Sequence, residues 1–195
     1  CNCCSLCLIV NLYNNDYSNF IFFFNLISLY ICKLIMFPIK IKKKAEKVFK
    51  LCLKKKIKLS FAESCTGGLL SCLITSFPNS SKIFASGFVT YSNLSKEKML
   101  GIPRKVLKKY GAVSKEVAEE MVNGIWNKNK INIALSITGI AGPTGHTKNK
   151  KIGLVYIGIK SKKGIDINEF YFKGNREKIR LASVEKAIDL LNSVI

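Results

Sequence analysis

The sequence predicts an α/β domain: a mixed sheet of about five strands with helices on both faces. Three observations carry that reading. The chain has 195 residues, 48% of them apolar, enough for one domain with a real core and too few for two ordinary ones. Segments of helical periodicity alternate with short apolar runs through most of the chain, the mark of an α/β arrangement. Two strand-like runs then follow one another around Lys162-Lys163-Gly164, which adds a hairpin.

Residues 1–35 are set apart from this domain. The chain begins at Cys1 and its first methionine is Met36. Residues 20–37 are mostly apolar, with Asn25 and Lys33 inside, which is the short limit for a membrane span. A secretory signal would place positive charge first and small residues last, and neither is present. The expected reading is an upstream extension translated in error, with a start at Met36. A hydrophobic anchor and a secretory signal are the alternatives. The domain is therefore placed at 36–195.

Within it, 40–56 reads as a helix, because Ile41, Ala45, Val48, Phe49, Cys52 and Leu53 recur at helical spacing with lysines opposite. A buried strand follows at 57–62, then a turn and a helix over 69–77. A second strand covers 84–91. Short helices follow at 94–100 and 104–110, the latter stopped by Gly111. Ser114 caps a helix running to about Lys128, with Glu116 in its first turn. Residues 131–138 read as a strand, and Gly139-Ile140-Ala141-Gly142-Pro143-Thr144-Gly145 as a loop. Strands at 152–160 and 167–172 form the hairpin. Asn175 caps a last helix carrying Ile179, Ala182, Leu190 and Val194. No internal repeat or interior linker is present.

The formal charge is +20, and residues 40–58 alone hold ten lysines and one glutamate, Glu46. Such charge suits nucleic acid, anionic membrane or phosphorylated metabolites. Only three arginines occur, Arg104, Arg176 and Arg180, whereas base-reading surfaces favour arginine. A codon bias toward Lys, Asn, Ile and Phe, with a solvated lysine face on a packed helix, accounts for the excess. Of eight cysteines, five precede Met36, and Cys52, Cys65 and Cys72 show no paired spacing. Cys4 and Cys7 have no second pair, so no zinc site is expected, and the domain reads as reduced and intracellular.

Two loops stand where chemistry belongs. Ser64-Cys65-Thr66-Gly67-Gly68 joins a strand to a helix, at the sheet end where open α/β folds bind ligands. Its glycines and the helix N-terminus suit an anion or an oxyanion, although such a turn also starts ordinary helices. The loop from Thr138 to Gly145 follows a strand and should lie near the first. This second loop matches neither a phosphate-loop nor a dinucleotide pattern. His146 is the only histidine and stands in a polar stretch. A serine without a histidine needs another base, and lysine is the remaining variant. That lysine must be kept neutral by burial or nearby cations. Lys96 follows a strand end close to Tyr91, a possible proton relay, but composition alone does not choose it. Cys65 is a rival nucleophile. Glu63 orients the turn or caps the helix. Arg176 and Arg180 are phosphate binders or surface charges.

The run Ala62-Glu63-Ser64-Cys65-Thr66-Gly67-Gly68 resembles the signature of the CinA carboxy-terminal domain family, the nicotinamide-nucleotide amidases. Further segments are similar in the same order: Gly87-Phe88-Val89-Thr90-Tyr91-Ser92-Asn93 with Lys96, Leu100-Gly101-Ile102-Pro103, Gly111-Ala112-Val113-Ser114, Thr138-Gly139-Ile140-Ala141-Gly142-Pro143, and Gly174-Asn175-Arg176 with Ile179-Arg180. The resemblance covers about 40–195. It implies a three-layer α/β/α sandwich and hydrolysis of nicotinamide mononucleotide to the nicotinate mononucleotide and ammonia, in pyridine-nucleotide salvage in the cytoplasm. It implies Ser64 as nucleophile working with Tyr91 and Lys96. Thr66, Gly67, Gly68, Thr138, Gly139 and Arg176 then line the substrate, with no cofactor and no metal. Where the family has Asp-Gly-Gly after Gly-Pro, this chain has Thr144-Gly145-His146. Where it has Pro-Val-Gly-Thr, this chain has Lys151-Ile152-Gly153-Leu154. The expected partner is a phosphorylated pyridine nucleotide, the expected assembly a homo-oligomer, and no specific nucleic acid or membrane partner is expected. A non-catalytic nucleotide-binding or competence-associated module and a basic nucleic-acid binder are the rival functions.

Overall fold

The computed structural model describes residues 37–128 and 130–195. Residues Ile39–Ile195 form one compact unit, and of the other, Cys1–Pro38, only Phe37 and Pro38 are described. The expected extension and the apolar stretch within it thus lie, but for Phe37, outside the described residues. Among the described residues, no helix is long and apolar enough to cross a membrane.

The elements run α1 (Ile39–Lys55), β1 (Leu59–Glu63), α2 (Leu69–Thr75), β2 (Phe84–Val89), α3 (Asn93–Leu100), α4 (Arg104–Tyr110), α5 (Lys115–Lys128), β3 (Ile133–Gly139), β4 (Leu154–Ser161), β5 (Gly164–Tyr171) and α6 (Arg176–Val194). The strands form one sheet in the order β2-β1-β3-β4-β5. Strands β2, β1 and β3 are parallel. Strand β4 runs antiparallel to β3, and β5 antiparallel to β4. The mixed five-stranded sheet is as expected.

Strand side chains alternate between faces, and the two faces are covered differently. Ala62 and Ala134 pack into a cluster with Val117, Met121, Val122 and Ile125 of α5, joined by Leu100 of α3 and Leu107 of α4. Helices α1, α2 and α6 pack on one another, and α2 and α6 also meet the sheet. Phe61, next to Ala62, points to that second side. The architecture is therefore three layers. Helix α1 buries Ile41, Ala45, Val48, Phe49 and Cys52. Two of its lysines meet α6: Lys40 lies 3.0 Å from Glu185, and Lys44 lies 2.7 Å from Glu185 and 2.9 Å from Asp189.

Element boundaries differ from expectation for local reasons. Strand β1 starts at Leu59, because the Ile57 amide donates to Cys52 O and the Lys58 amide to Asn132 Oδ1. Helix α2 stops at Thr75, where the Thr75 hydroxyl turns back onto Ser71 O. Strand β5 begins at Gly164, since Ser161 already pairs with Gly164 and only Lys162 and Lys163 make the turn.

Connectivity places the site. After β1 the chain turns to α2 on one face, and after the neighbouring β2 it turns to α3 on the other. Adjacent strands whose connections leave to opposite faces open a crevice at their carboxyl ends, where α/β proteins bind ligands.

Candidate active site

The turn at the end of β1 is built by its own sequence. Ser64 extends the β1–β3 ladder, its amide donating to Ile137 O at 2.9 Å. Gly67 (φ 61°) and Gly68 (φ 88°) then take the left-handed region that side chains rarely adopt. The Gly67 amide closes the turn on Ser64 O at 3.0 Å. Glu63, buried, accepts from the Leu70 amide at 3.0 Å, the Ser71 amide at 2.8 Å and the Ser71 hydroxyl at 2.7 Å. It therefore caps α2, putting a carboxylate where the helix end carries positive charge. That fixes how the chain leaves Ser64.

Helix α3 approaches from the other side of the crevice. Ser92 and Ser95 form a capping box at its start and Gly101 ends it. Two residues of α3 are buried, Lys96 and Leu100, one turn apart. Lys96 is only 1% exposed, and its Nζ donates to Thr90 O at 2.7 Å and lies 2.9 Å from Ser64 Oγ. Ser64 is 8% exposed. Burial without a bonded carboxylate pushes the Lys96 ammonium from 10.5 down to about 8. In its neutral form the amine has a lone pair aimed at the serine hydroxyl.

Each expected site residue can now be placed. Ser64 and Lys96 meet directly, which leaves no gap for Tyr91 to relay a proton across. That corrects the relay expectation. The Tyr91 ring is exposed, and its hydroxyl accepts from Arg176 Nη2 at 2.5 Å. Arg176 Nη1 donates to Gly142 O at 2.7 Å, so one guanidinium joins the connection after β2 to the loop after β3. Thr66 is fully buried, and among the described residues its Oγ1 has no partner. The Gly67 amide is spent within the turn, correcting its expected use toward an oxyanion; among the described residues the Thr66 and Gly68 amides have no acceptor. Thr138, also buried, donates its hydroxyl to Ala112 O at 2.8 Å and braces the bend between α4 and α5. Gly139 pairs with Val155, and a Cβ there would stand 2.7 Å from Leu154 O, so strand packing already requires glycine. His146 is exposed in the second loop. Cys65 is buried and its thiol is pushed up to about 12 by that burial, which withholds the thiolate a cysteine nucleophile needs. No three of the described His, Cys, Asp and Glu side chains converge as metal ligands would.

Two contacts escaped the sequence. Thr90 contributes a main-chain carbonyl, which carries no residue signature. Arg180 donates from Nη2 to Thr66 O at 2.7 Å. Its spacing of four from Arg176 was visible and puts both on one helix face, but not the turn they reach.

The model of the CinA C-terminal domain family matches residues 41–195. A Caldicellulosiruptor saccharolyticus protein provisionally named as competence-damage inducible is 47% identical over 150 residues, 77% of this chain and 36% of that protein. A CinA-like protein of Endomicrobium trichonymphae is 49% identical over 142 residues, 73% of this chain and 33% of that one. The chain thus spans about a third of the length of the curated relatives it matches. Among solved structures, the competence/damage inducible protein CihA from Agrobacterium tumefaciens superposes with a TM-score of 0.78 at 37% identity, covering 81% of this chain and 97% of that one. A CinA superfamily protein from Escherichia coli gives 0.76 at 28% identity, covering 80% and 90%.

Proposed function

The chain belongs to the CinA C-terminal domain family, and from that premise we propose that it is a serine amidohydrolase. Its substrate is nicotinamide mononucleotide, which it deamidates to the nicotinate mononucleotide and ammonia, acting as a homo-oligomer in the cytoplasm. The observation that carries the reading is the buried Lys96 Nζ at 2.9 Å from Ser64 Oγ, at the carboxyl end of the sheet. The motif resemblance supplies the substrate. The relatives' names speak of competence and damage and name no reaction.

The chemistry follows from the pair. Neutral Lys96 takes the Ser64 proton as Oγ attacks the carboxamide carbon. The free Thr66 and Gly68 amides offer donors to the oxygen that becomes negative. Collapse of the tetrahedral species breaks the C–N bond, and the Lys96 ammonium returns its proton to the leaving nitrogen. Water, deprotonated by the same amine, then hydrolyses the ester on Ser64. Positioned proton transfer of this kind contributes about 10²–10⁴-fold. Arg176, at the rim with Tyr91 orienting it, receives the substrate phosphate. Thr138 and Gly139 shape the neighbouring loop.

The rival nucleic-acid function would draw on α1, but Lys40 and Lys44 are engaged by Glu185 and Asp189. The test is release of ammonia from nicotinamide mononucleotide by the purified chain. A non-catalytic nucleotide-binding module would bind the nucleotide and release none.

A further inference from the structure

We infer that Arg180 is a positioning residue for the nucleophile: it holds the Ser64–Gly68 turn in its reactive shape from across the molecule. The inference rests on the amidohydrolase reading above. Arg180 sits in the second turn of α6, 114 residues from Thr66 along the chain, and its Nη2 donates to Thr66 O at 2.7 Å. The same Nη2 lies 3.6 Å from where a Cβ on Gly67 would stand, so the guanidinium packs on the turn itself.

The peptide plane explains why this contact matters. Thr66 C=O and Gly67 N–H belong to one plane. Arg180 holds its oxygen, and Ser64 O holds its hydrogen at 3.0 Å. On the far side stand two consecutive glycines in the left-handed region. A flip turns ψ of Thr66 and φ of Gly67, and Gly67 has no Cβ to resist it, so sterics on that side do not fix the orientation. The two hydrogen bonds do. A flip would release Ser64 O from its donor and turn the Thr66 carbonyl toward it, opening the turn that presents the nucleophile. Arg180 is also an expensive way merely to fill space. It is half-buried, and its Nε is buried with no partner among the described residues. An unpaired buried donor costs stability that an apolar side chain of similar volume would not.

The test reads the nucleophile directly. Phenylmethanesulfonyl fluoride labels an activated serine: Oγ bonds to sulfur, the S–F bond breaks, and fluoride leaves while Lys96 takes the proton. The labelling rate at Ser64 is followed by mass spectrometry in wild type, Arg180→Met and Arg180→Lys, with circular dichroism and melting as fold controls. Arg180→Met should label roughly tenfold to a hundredfold more slowly while still folded, the scale of loss expected from a misplaced reacting group. Arg180→Lys, which keeps a donor and a charge, should recover part of the rate. In the amidase assay, kcat should fall with KM near the wild-type value. Labelling of Arg180→Met at the wild-type rate overturns the inference. Should Arg180→Met not fold, Arg180→Gln replaces it with the same expectation, and failure of both to fold also overturns the inference, since Arg180 would then serve the whole domain. A wild type that labels at Ser64 but releases no ammonia refutes the amidase reading alone, and a wild type that does not label refutes both.

Discussion

Ammonia release from nicotinamide mononucleotide should rise with pH through a midpoint of about 8, tracking the neutral form of Lys96. A lysine left at 10.5 would be neutral in roughly three molecules per ten thousand at pH 7, whereas at about 8 the fraction is roughly a tenth. The rate should therefore climb roughly tenfold between pH 7 and 9 and then level off. The assay is kcat/KM across pH 7–10, kept above the range where the substrate's own phosphate titrates, near pKa 6. Folding carries the counterpart. The folded pKa lies below the unfolded one, so between about 8 and 10.5 the unfolded chain binds the extra proton. The burial penalty is thus fully present below pH 8 and is relieved as pH rises toward 10.5. At about 1.4 kcal/mol per pKa unit it amounts to about 3 kcal/mol. Relative to Lys96→Met, wild type should gain stability of that order between pH 7 and 10.5 in urea titrations. Lys96→Arg, whose guanidinium stays protonated, should be inactive throughout. A flat profile, one falling with pH, or an active Lys96→Arg would refute the reasoning.

Other substitutions should separate the roles around the pair. Glu63→Ala strips three donors at the start of α2 of their acceptor and should cost about 2 kcal/mol or more in urea unfolding. Cys65→Ser should keep near wild-type turnover, and Cys65 should resist thiol alkylation at pH 7 by mass spectrometry because its thiol titrates at about 12. Arg176→Gln should raise KM for the nucleotide roughly tenfold, the scale of one lost charge-assisted hydrogen bond, and should leave the unphosphorylated riboside unaffected. Equal KM changes for both substrates would remove Arg176 from phosphate binding.

Much of this was readable in the sequence because it is local. Apolar periodicity and capping residues marked α1, α5 and α6, and the glycines of 67–68 marked the bend that carries Ser64. The start of β5 lies outside the expected 167–172 because Gly164, Ile165 and Asp166, at the sheet's edge, are all exposed and carry no apolar alternation. The site was less readable wherever it depends on main chain or on long-range approach. Lys96 looked like any solvated helix lysine. Its burial follows from α3 turning Lys96 and Leu100 inward together. Thr138 and Gly139 fall beside the site, yet their immediate contacts, with Ala112 O and with β4, are those of packing. Arg180 reaches Thr66 only because α6 packs against α2 and β4, a placement that no run of residues around either position encodes.

The most direct measurement is a side-by-side assay of ammonia from nicotinamide mononucleotide with wild type and folded Ser64→Ala. The account predicts steady turnover by the first and none above background by the second, with unchanged circular dichroism. Equal turnover by the two proteins would contradict a serine made nucleophilic by a buried amine.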